Sequence, residues 1–254
     1  MRLEGKVAVI TGAGSGMGRA MANLFAAEGA KVVAAEWNET TLAEVVDEVK
    51  AAGGEIVGVQ GDVSKLEDCR RIVETATATY GSLDVLCNNA GVMDNFAGVA
   101  DFSDELLERV FGINVYGPMY LMRLAVPVMV AQGGGSIVVT ASVAGIKGGA
   151  AGVVYTASKH AIVGATKSTA WQYGQKGVRC NAIAAGGVET NIMSSVDPSK
   201  IEPAGAERCQ FGASIIPAML KAGDIADLAL FLASDESKMI NGAIIPADAG
   251  WSAA

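Results

Sequence analysis

The sequence predicts an α/β fold in which a doubly wound parallel sheet carries helices on both faces. Short apolar runs rich in β-branched residues alternate along the chain with longer segments whose apolar residues recur at helical spacing. Such alternation is typical of parallel strands joined by right-handed helical crossovers. Glycine is frequent (32 of 254 residues) and proline rare (6), which suits many tight turns around one large core. We therefore expect residues 1–254 to form a single domain.

Seven apolar runs are expected to form the strands. The first, at 7–11, suits a strand that is buried on both faces, as in the middle of a parallel sheet. The predicted strands lie at 7–11, 31–36, 56–60, 85–88, 137–140, 178–184 and 243–246.

The helices are predicted between these strands. Gly29 should end the first helix, and Gly53 with Gly54 the second, because glycine is common just after a helix. Pro118 and Pro127 should bend or split the long helical region, since proline disrupts a helix interior. The predicted helices lie at 19–28, 40–52, 66–80, 104–130, from 153 onward, and at 224–233.

The region from about 190 to 223 has no clear strand and combines three prolines with several large apolar residues. A stretch of this length without a strand is usually functional in a compact domain. Its apolar content favours a lid over a hydrophobic pocket, with core packing and a subunit contact as the alternatives. Its large apolar residues are Met193, Ile201, Phe211, Ile215, Ile216, Met219 and Leu220.

Charge and hydropathy argue against two classes of partner. The formal net charge is −8, whereas nucleic-acid binding needs a basic surface. No apolar run reaches the roughly 18 residues of a membrane span, so we expect no membrane insertion. The N-terminus leads directly into the first strand without the apolar stretch of a signal peptide, and we expect a cytoplasmic protein.

The cysteines and the single histidine give no sign of a metal site. Cys69, Cys87, Cys180 and Cys209 are scattered without a close pair, so we expect free, buried thiols and neither disulfides nor a bound metal. A zinc hydrolase or a Ser-His-Asp triad would have to depend on His160 alone.

A glycine cluster lies between the first strand and the first helix. It does not fit G-x-G-x-x-G in any frame, but Thr11, Gly12, Gly16 and Gly18 fit T-G-x-x-x-G-x-G. Glycine permits a tight turn and a close approach of the backbone to a pyrophosphate, which the following helix N-terminus attracts. The cluster therefore predicts a dinucleotide site.

Two acidic residues at strand ends bear on the choice of dinucleotide. Glu36 ends the second strand, where a carboxylate can accept hydrogen bonds from ribose hydroxyls and would repel a 2′-phosphate. Because its neighbours Trp37 and Ser15 offer no cation, we predict NAD rather than NADP. A solvated carboxylate would make this preference weaker. Asp62 could cap the following loop or accept from the adenine amino group.

A hydroxyl, a phenol and an ammonium are predicted to converge near the middle of the chain. Ser142 comes just after the strand 137–140, at the edge where open α/β sheets bind their ligands. Tyr155 and Lys159 are four residues apart on a predicted helix and therefore share a face. Taken alone, these residues would equally suit an ordinary serine, a half-buried tyrosine and a solvated lysine.

Together with the Thr11–Gly18 motif, the run Asn88-Asn89-Ala90-Gly91, Asn114, Ser142 and Tyr155-x-x-x-Lys159 occur in this order. On these motifs, the sequence resembles the short-chain dehydrogenase/reductase family along essentially its whole length. The resemblance implies a Rossmann-like fold and hydride transfer between a nicotinamide and a carbonyl or secondary alcohol.

The resemblance also implies a role for each catalytic residue. Tyr155 is similar to the family's acid/base, and Lys159 should lower the pKa of its phenol and hold the nicotinamide ribose. Ser142 should hydrogen-bond the reacting oxygen, and Asn114 should anchor a water that links Lys159 to solvent. His160 is turned away from Lys159 around the helix and should be structural.

The cofactor residues implied by the resemblance lie at the carboxyl ends of several strands. In this sequence they are Gly12, Ser15, Gly16, Met17, Gly18, Glu36, Asp62, Val63, Asn89, Ala90, Gly91, Tyr155, Lys159, Val188 and Thr190. One position departs from the pattern, because Ala185 replaces a usual proline and Gly187 adds freedom. We expect this turn to be looser before the cofactor binds, and Val188 and Thr190 to hold the carboxamide nonetheless.

The substrate class stays open among three alternatives. The apolar lid favours a hydrophobic, cyclic secondary alcohol or ketone such as a hydroxysteroid or bile acid. A 3-oxoacyl-thioester reductase of fatty-acid synthesis usually prefers NADP, which Glu36 disfavours, and Trp171 stands where those reductases commonly have arginine. A sugar or polyol dehydrogenase would need a more polar pocket than Met93, Val143, Ala144, Ile146, Val188 and Met193 provide. The family further suggests a homotetramer or homodimer.

Overall fold

The computed structural model describes residues 1–253, and its core is a seven-stranded parallel sheet. The strands lie in the order β3-β2-β1-β4-β5-β6-β7, and every neighbouring pair is parallel. They are β1 Val7–Thr11, β2 Lys31–Glu36, β3 Glu55–Gln60, β4 Val85–Asn88, β5 Gly135–Thr140, β6 Val178–Ala185 and β7 Ile244–Ala247. The strand order reverses between β1 and β4, so a crevice for ligands is expected at their carboxyl ends.

Helices cover both faces of this sheet, which confirms the predicted fold class. They are α1 Gly16–Ala27, α2 Glu39–Ala51, α3 Leu66–Tyr80, α4 Asp104–Phe111, α5 Gly117–Ala131, α6 Val153–Tyr173, α7 Pro203–Ala213 and α8 Ala222–Ala233. On one face, α3, α5 and α6 bury residues such as Ile72, Met129 and Ile162. On the other face, α1, α2 and α8 bury residues such as Phe25 and Val45.

The long helical region predicted at 104–130 is divided once, at a π turn. This turn, Gly112–Tyr116, separates α4 from α5. Pro118 lies in the first turn of α5, and a proline ring clashes with the carbonyl four residues earlier, so the interruption falls just before it. Pro127 lies inside α5 and does not split the helix there.

The stretch Asp104–Ala131 is long and apolar enough to cross a membrane by length and composition, but half of its most apolar window is buried inside the fold. A helix packed on the sheet of a globular domain meets the same criteria, so this stretch is weak evidence for a membrane span.

We call residues 189–219 the lid, after the role that the sequence predicts for this region. The predicted region without strands contains two short 3₁₀ turns, Asn191–Ser195 and Pro198–Lys200, followed by α7. A parallel bridge between Val188 and Leu220 closes the lid at its base. There, the Leu220 N–H donates to the Gly187 carbonyl and the Glu189 N–H to the Leu220 carbonyl, each at 2.8 Å.

Candidate active site

The glycine turn between β1 and α1 leaves no room for side chains. Gly12 and Gly16 have φ values of 63° and 50°, in the left-handed region that glycine adopts without strain. A Cβ atom at Gly18 would lie 2.0 Å from the Gly12 carbonyl oxygen, and one at Gly14 would lie 2.4 Å from Thr41 Oγ1. The turn therefore presents bare backbone at the N-terminus of α1, as a pyrophosphate site requires.

The Glu36 carboxylate at the end of β2 is fixed by hydrogen bonds from the backbone and is not free in solvent. Its side chain accepts from the backbone N–H of Gly14 at 3.0 Å, of Trp37 at 2.9 Å and of Asn38 at 3.2 Å. The residue is only 7% exposed. Its carboxylate is thus fixed beside the glycine turn, with acceptor positions left over for ribose hydroxyls.

Arg19, in the first turns of α1, is committed to two other carboxylates. Its guanidinium pairs with Glu44 at 3.0 Å and with Glu48 at 2.8 Å. The hydrogen bond from Arg19 lowers the pKa of Glu48. Both glutamates lie on α2, so this cation is already neutralised by the neighbouring helix.

Asp62 caps the loop after β3, one of its two expected roles. Its Oδ1 accepts from the Ser64 backbone N–H at 3.0 Å and from the Ser64 hydroxyl at 2.7 Å, and Lys65 lies 3.8 Å from Oδ2. Val63 is buried, and a Cβ at Gly117 would lie 3.0 Å from its side chain. Val63 therefore packs against the start of α5.

The remaining predicted cofactor contacts lie around the same turn. Ser15 is exposed, and Met17 is partly buried against the core. A Cβ at Gly16 would lie 3.2 Å from the Thr190 side chain, so the start of the lid meets the glycine turn. Val188, also partly buried, is held by the bridge to Leu220.

Side chains join the ends of β1, β4 and β5 behind this turn. The Thr11 hydroxyl accepts from the backbone N–H of Asn89 at 3.0 Å and of Ala90 at 3.1 Å. The Asn89 amide donates to the Thr11 carbonyl at 3.0 Å, and its oxygen accepts from the Thr140 hydroxyl at 3.2 Å. The Asn89 side chain thus serves the fold, and its predicted cofactor contact would have to involve its backbone.

Asn88 is buried at the end of β4 and is only partly satisfied. Its Nδ2 donates to the Pro118 carbonyl at 3.4 Å, while its Oδ1 has no hydrogen-bond partner among residues 1–253. The contact ties β4 to the start of α5, which agrees with a structural role.

The structure brings Ser142, Tyr155 and Lys159 together as the spacing predicts. The Ser142 hydroxyl accepts from the Ala144 backbone N–H at 3.1 Å and faces the Tyr155 phenol, whose pKa it lowers. Lys159 Nζ lies 5.5 Å from the centre of the Tyr155 ring and donates to the Thr140 carbonyl at 2.9 Å. Tyr155 is 6% and Lys159 4% exposed, so neither is the half-buried or solvated residue of the alternative.

The effect of Lys159 on the pKa of Tyr155 stays a prediction, because burial dominates the pKa of both groups in this structure. Burial raises the pKa of Tyr155 to about 12, although the hydrogen bond from Ser142 acts in the opposite direction. Burial also lowers the pKa of Lys159 to about 8. Low polarity disfavours the charged form of both groups.

Asn114 lies within the π turn and fixes the segment that follows β4. Its Nδ2 donates to the Val92 carbonyl at 3.0 Å and to Ser158 Oγ at 3.2 Å, and its Oδ1 accepts from the Val92 N–H at 2.9 Å. A Cβ at Gly91 would lie 3.4 Å from Asn114 Oδ1 and 3.6 Å from Lys159 Nζ. Asn114 and Lys159 therefore flank the same space.

Asp94 is the buried polar residue near the site that sequence reasoning missed. It is 1% exposed and accepts from the Tyr155 backbone N–H at 2.8 Å. The two residues are 61 positions apart, so no local pattern could pair them. The one available signal was an acidic residue three positions after the Asn-Asn-Ala-Gly run.

An apolar wall lies beside the Tyr155 phenol. Ala144, Ala151 and Tyr155 form a buried cluster, against which Met93, Ala150 and Ile192 pack. Met93 and Ala144 were predicted to line the pocket. Of the other predicted residues, Val143 is fully buried, whereas Ile146 and Met193 are exposed at the surface.

The turn after β6 is held on both sides despite Ala185 and the two glycines that follow it. The Gly186 N–H donates to the Ala247 carbonyl at 2.9 Å, and the Gly187 carbonyl accepts from Leu220. A Cβ at Gly187 would lie 2.9 Å from Met219 Sδ, so the end of the lid packs directly on this turn.

The thiols and the histidine lie apart from this chemistry. All four cysteines are free, and Cys69, Cys87 and Cys180 are buried as predicted, while Cys209 is partly exposed. Within residues 1–253, no three His, Cys, Asp or Glu side chains are placed to hold a metal ion. His160 Nδ1 lies 2.9 Å from the Thr156 carbonyl on an exposed face of α6.

A parallel sheet with a glycine turn after β1 and a carboxylate at the end of β2 defines a dinucleotide-binding class of protein. A family model described as Enoyl-(Acyl carrier protein) reductase matches residues 12–252. The 3beta-hydroxysteroid dehydrogenase 2 of Eggerthella lenta is 40% identical over 256 residues, covering 99% of this chain and 96% of that protein. The chain therefore belongs to the short-chain dehydrogenase/reductase family of oxidoreductases.

Solved structures agree with this assignment. The crystal structure of levodione reductase has a TM-score of 0.90 and 34% identity, with 100% of both chains covered. A short chain dehydrogenase from Mycobacterium paratuberculosis bound to NAD has a TM-score of 0.91 and 33% identity, again with 100% of both chains covered. A structure from Beutenbergia cavernae with NADP at low occupancy has a TM-score of 0.87 and 34% identity, covering 99% of this chain and 98% of that one.

Proposed function

We propose that this protein is an NAD(H)-dependent oxidoreductase that interconverts a secondary alcohol and a ketone on a hydrophobic, cyclic substrate such as a hydroxysteroid. The observation that carries the proposal is the Ser142–Tyr155 hydroxyl pair beside Lys159, which borders an apolar wall. The two hydroxyls can hydrogen-bond the reacting oxygen of the substrate, and the apolar wall can pack against the substrate's carbon skeleton.

The residues present fit a dinucleotide. The glycine turn and α1 would take the pyrophosphate, because a Cβ at Gly14 or Gly18 would fill the space that bare backbone now borders. Glu36 would accept from the adenosine ribose, while Val188, Thr190 and Lys159 would hold the nicotinamide end. When bound, the nicotinamide supplies or accepts the hydride.

The protein's part is to hold an oxygen and move one proton. Ser142 can donate its O–H to the substrate oxygen while its own oxygen accepts from the Ala144 N–H. Tyr155 gives its phenolic proton to that oxygen in reduction and takes it back in oxidation. Lys159 and Asn114 flank the space beside Gly91, through which the proton would exchange with solvent.

The raised pKa of Tyr155 sets how the rate of each direction of the reaction depends on pH. With a pKa of about 12, the phenol is protonated at neutral pH and is ready to donate to a ketone oxygen. Oxidation of the alcohol needs the phenolate. At pH values below the pKa, the fraction of phenolate grows tenfold for each unit by which the pH rises. We therefore expect oxidation to accelerate with pH and reduction to proceed at neutral pH.

Two features support NAD over NADP. Glu36 is fixed at the ribose position by three backbone N–H groups, so it cannot swing away from a 2′-phosphate. Arg19, the cation on α1, is paired with two glutamates. A 2′-phosphate would therefore meet a fixed negative charge without an available counter-ion.

The hydrophobic substrate is supported by the apolar wall and by the relative named as a 3beta-hydroxysteroid dehydrogenase. The description of the matching family model, a reductase of carrier-bound enoyl groups, favours a second candidate, reduction of a carrier-bound 3-oxoacyl thioester. Trp171, 88% exposed on α6, adds no positive charge for an acidic carrier protein.

A homotetramer or homodimer in the cytoplasm completes the proposal. Tyr116, Met119 and Trp171 are exposed apolar side chains on or next to α5 and α6, and such residues are often covered by a second copy. Light scattering of the purified protein tests this assembly, with Trp171→Glu expected to reduce the measured mass. A monomeric wild-type protein would contradict it.

The decisive experiment compares initial oxidation rates with NAD and NADP over steroid alcohols, simple cyclic alcohols, sugars and a 3-hydroxyacyl thioester. We expect turnover of one steroid regioisomer with NAD, and a weaker preference for NAD in Glu36→Ser. Preference for NADP with the thioester would contradict both the cofactor and the substrate proposals.

A further inference from the structure

Asp94, in the segment between β4 and α4, binds the first turn of the helix that carries Tyr155. Its Oδ2 accepts from the Tyr155 N–H at 2.8 Å, and its Oδ1 from Gly152 at 3.2 Å and Phe96 at 3.1 Å. An ionised carboxylate accepts without donating, so it suits three N–H donors. The unpaired N–H groups and the dipole of a helix N-terminus favour the same negative charge.

The surrounding backbone is shaped to let this carboxylate approach. A Cβ at Gly152 would lie 2.5 Å from Asp94 Oδ2 and 2.7 Å from Phe96 Cα, so only glycine fits there. Phe96 has a φ of 64°, a conformation that bulky residues rarely adopt. Two uncommon local features therefore serve one buried contact.

The same segment is fixed on its other side to the lid. The Met93 N–H donates to Ser195 Oγ at 3.0 Å, and Asn95 Nδ2 donates to the Lys200 carbonyl at 2.8 Å. Residues 93 and 95 thus contact the lid, while Asp94 between them contacts α6. Asp94 is held from both sides, as a residue that sets another's position must be.

We propose that Asp94 is a positioning residue for Tyr155, which fixes the backbone that carries the phenol and maintains a negative charge close to it. The inference rests on the proposed function, in which Tyr155 moves the proton. Burial is the main cause of the raised pKa of Tyr155, and the charge of Asp94 raises it further. Asp94 therefore favours the protonated phenol, the form that donates to a ketone.

The other groups that face Tyr155 or Asp94 are few. Lys159 lies on the same helix, and the Ser142 hydroxyl faces the phenol from the turn after β5. Cys209 of α7 is close enough to Asp94 for the carboxylate to contribute to the raised pKa of its thiol, after burial. Because Cys209 is neutral at physiological pH, Asp94 is the negative charge whose removal should be felt by Tyr155.

The test is the titration of Tyr155 itself, measured by NMR of protein labelled with ¹³C at the tyrosine ring carbon that bears the hydroxyl. The chain has 5 tyrosines, and Tyr155→Phe assigns the signal. In Asp94→Asn, the Tyr155 signal should begin to move roughly one pH unit lower than in the wild type. Superimposable titrations would overturn the proposal. Since the measurement needs no turnover, an inactive wild-type protein would refute the proposed function without affecting this result.

Two controls separate positioning from general damage. Asp84→Asn removes another carboxylate that accepts a backbone N–H, that of Val7 at 2.9 Å, and should lower stability without moving the Tyr155 titration. Asn95→Ala removes the adjacent lid contact and should also leave that titration unchanged. If Asp94→Asn does not fold, Asp94→Ser keeps one neutral acceptor and serves the same measurement.

Kinetics provide an independent readout on the active protein. In Asp94→Asn, the pH profile of kcat/KM for oxidation should move to lower pH, and kcat at its optimum should fall more than KM changes. A fall in kcat with an unshifted profile would show that Asp94 is only structural.

Discussion

Helix α6 and the lid border the same site but are held in different ways. The first turns of α6 are buried, with Tyr155 and Lys159 6% and 4% exposed, and are fixed by the Asp94 carboxylate and by a bond to β5. In the lid, Phe211 and Ile215 are 69% and 59% exposed. The lid is attached by a few hydrogen bonds, among them that of the Trp251 indole to the Gly212 carbonyl at 3.0 Å.

This difference separates two requirements of catalysis. Proton transfer needs groups fixed within a fraction of an ångström, which a packed helix provides. Admission of a bulky substrate needs a cover that opens, and segments with few buried contacts open at low cost. Substitutions in α6 should therefore change rate and stability, and those in the lid should change apparent substrate affinity.

The largest effect is expected for Tyr155→Phe in α6. Losing the proton donor should lower kcat by about 10³-fold to 10⁴-fold, the range of general acid–base catalysis, while NAD binding and the melting temperature stay close to wild type. Initial-rate assays, NAD titration and thermal unfolding measure these three quantities. Tyr173→Phe, the same change at the other end of α6, is the matched control and should keep its activity. Full activity in Tyr155→Phe would remove this residue from the mechanism.

The glycine turn is fixed as tightly as α6, and Gly18→Ala should show it. The new Cβ would lie 2.0 Å from the Gly12 carbonyl oxygen, so the backbone must shift. We expect a loss of about 2 to 3 kcal/mol in the free energy of unfolding and a marked loss of NAD affinity. Gly223→Ala in α8, where a Cβ meets nothing within 4 Å, is the control and should be neutral or slightly stabilising. Equal stability and equal NAD affinity of the two variants would contradict the role of the glycine turn as a close-packed cofactor site.

Lys159→Met should abolish activity yet stabilise the protein at neutral pH. Burial holds the pKa of Lys159 at about 8, below its ordinary 10.5, so a protonated lysine destabilises the fold below pH 8. We expect a gain of about 1 kcal/mol in the free energy of unfolding at pH 7.

The stability difference between Lys159→Met and the wild type should also depend on pH. From about pH 8 to 10.5 the unfolded chain binds a proton that the folded chain does not, so the wild type gains stability as pH rises. The advantage of Lys159→Met should shrink over that window in denaturant titrations. A difference that is constant with pH would show that packing, and not charge, is responsible.

The smallest effect is expected in the lid. Phe211→Ala removes a largely exposed ring and should change the free energy of unfolding by less than about 0.5 kcal/mol. It should raise KM for a bulky apolar alcohol several-fold and leave kcat unchanged. Val99→Ala, also an exposed apolar residue but outside the lid, is the control. A large fall in kcat for Phe211→Ala would mean that the lid also positions reacting groups.

Sequence reasoning recovered the fold because local pattern determines it. The strands β1, β2 and β4 and helix α3 begin and end where apolar periodicity and glycine placed them. The convergence of Ser142, Tyr155 and Lys159 followed from a strand end and a four-residue helical spacing.

What the sequence could not provide depends on distant contacts. The pairing of Asp94 with Tyr155 crosses 61 positions, and the raised pKa of Tyr155 reflects burial that no local pattern reveals. The π turn Gly112–Tyr116 was missed because its residues carry ordinary helical patterning. The hydrogen bonds that fix the Glu36 carboxylate could not be predicted either, because they depend on how the glycine turn folds.

The bridge between Val188 and Leu220 brings the two ends of the lid together at one point. A segment whose ends already meet can be exchanged for another of different length without moving the strands it leaves and rejoins, because closing a longer loop costs little. The lid is therefore a segment that can be exchanged as a unit. Transplanting residues 189–219 between family members should transfer substrate preference while the glycine turn, Ser142 and Tyr155 remain in place, so that new specificity can evolve without rebuilding the catalytic machinery.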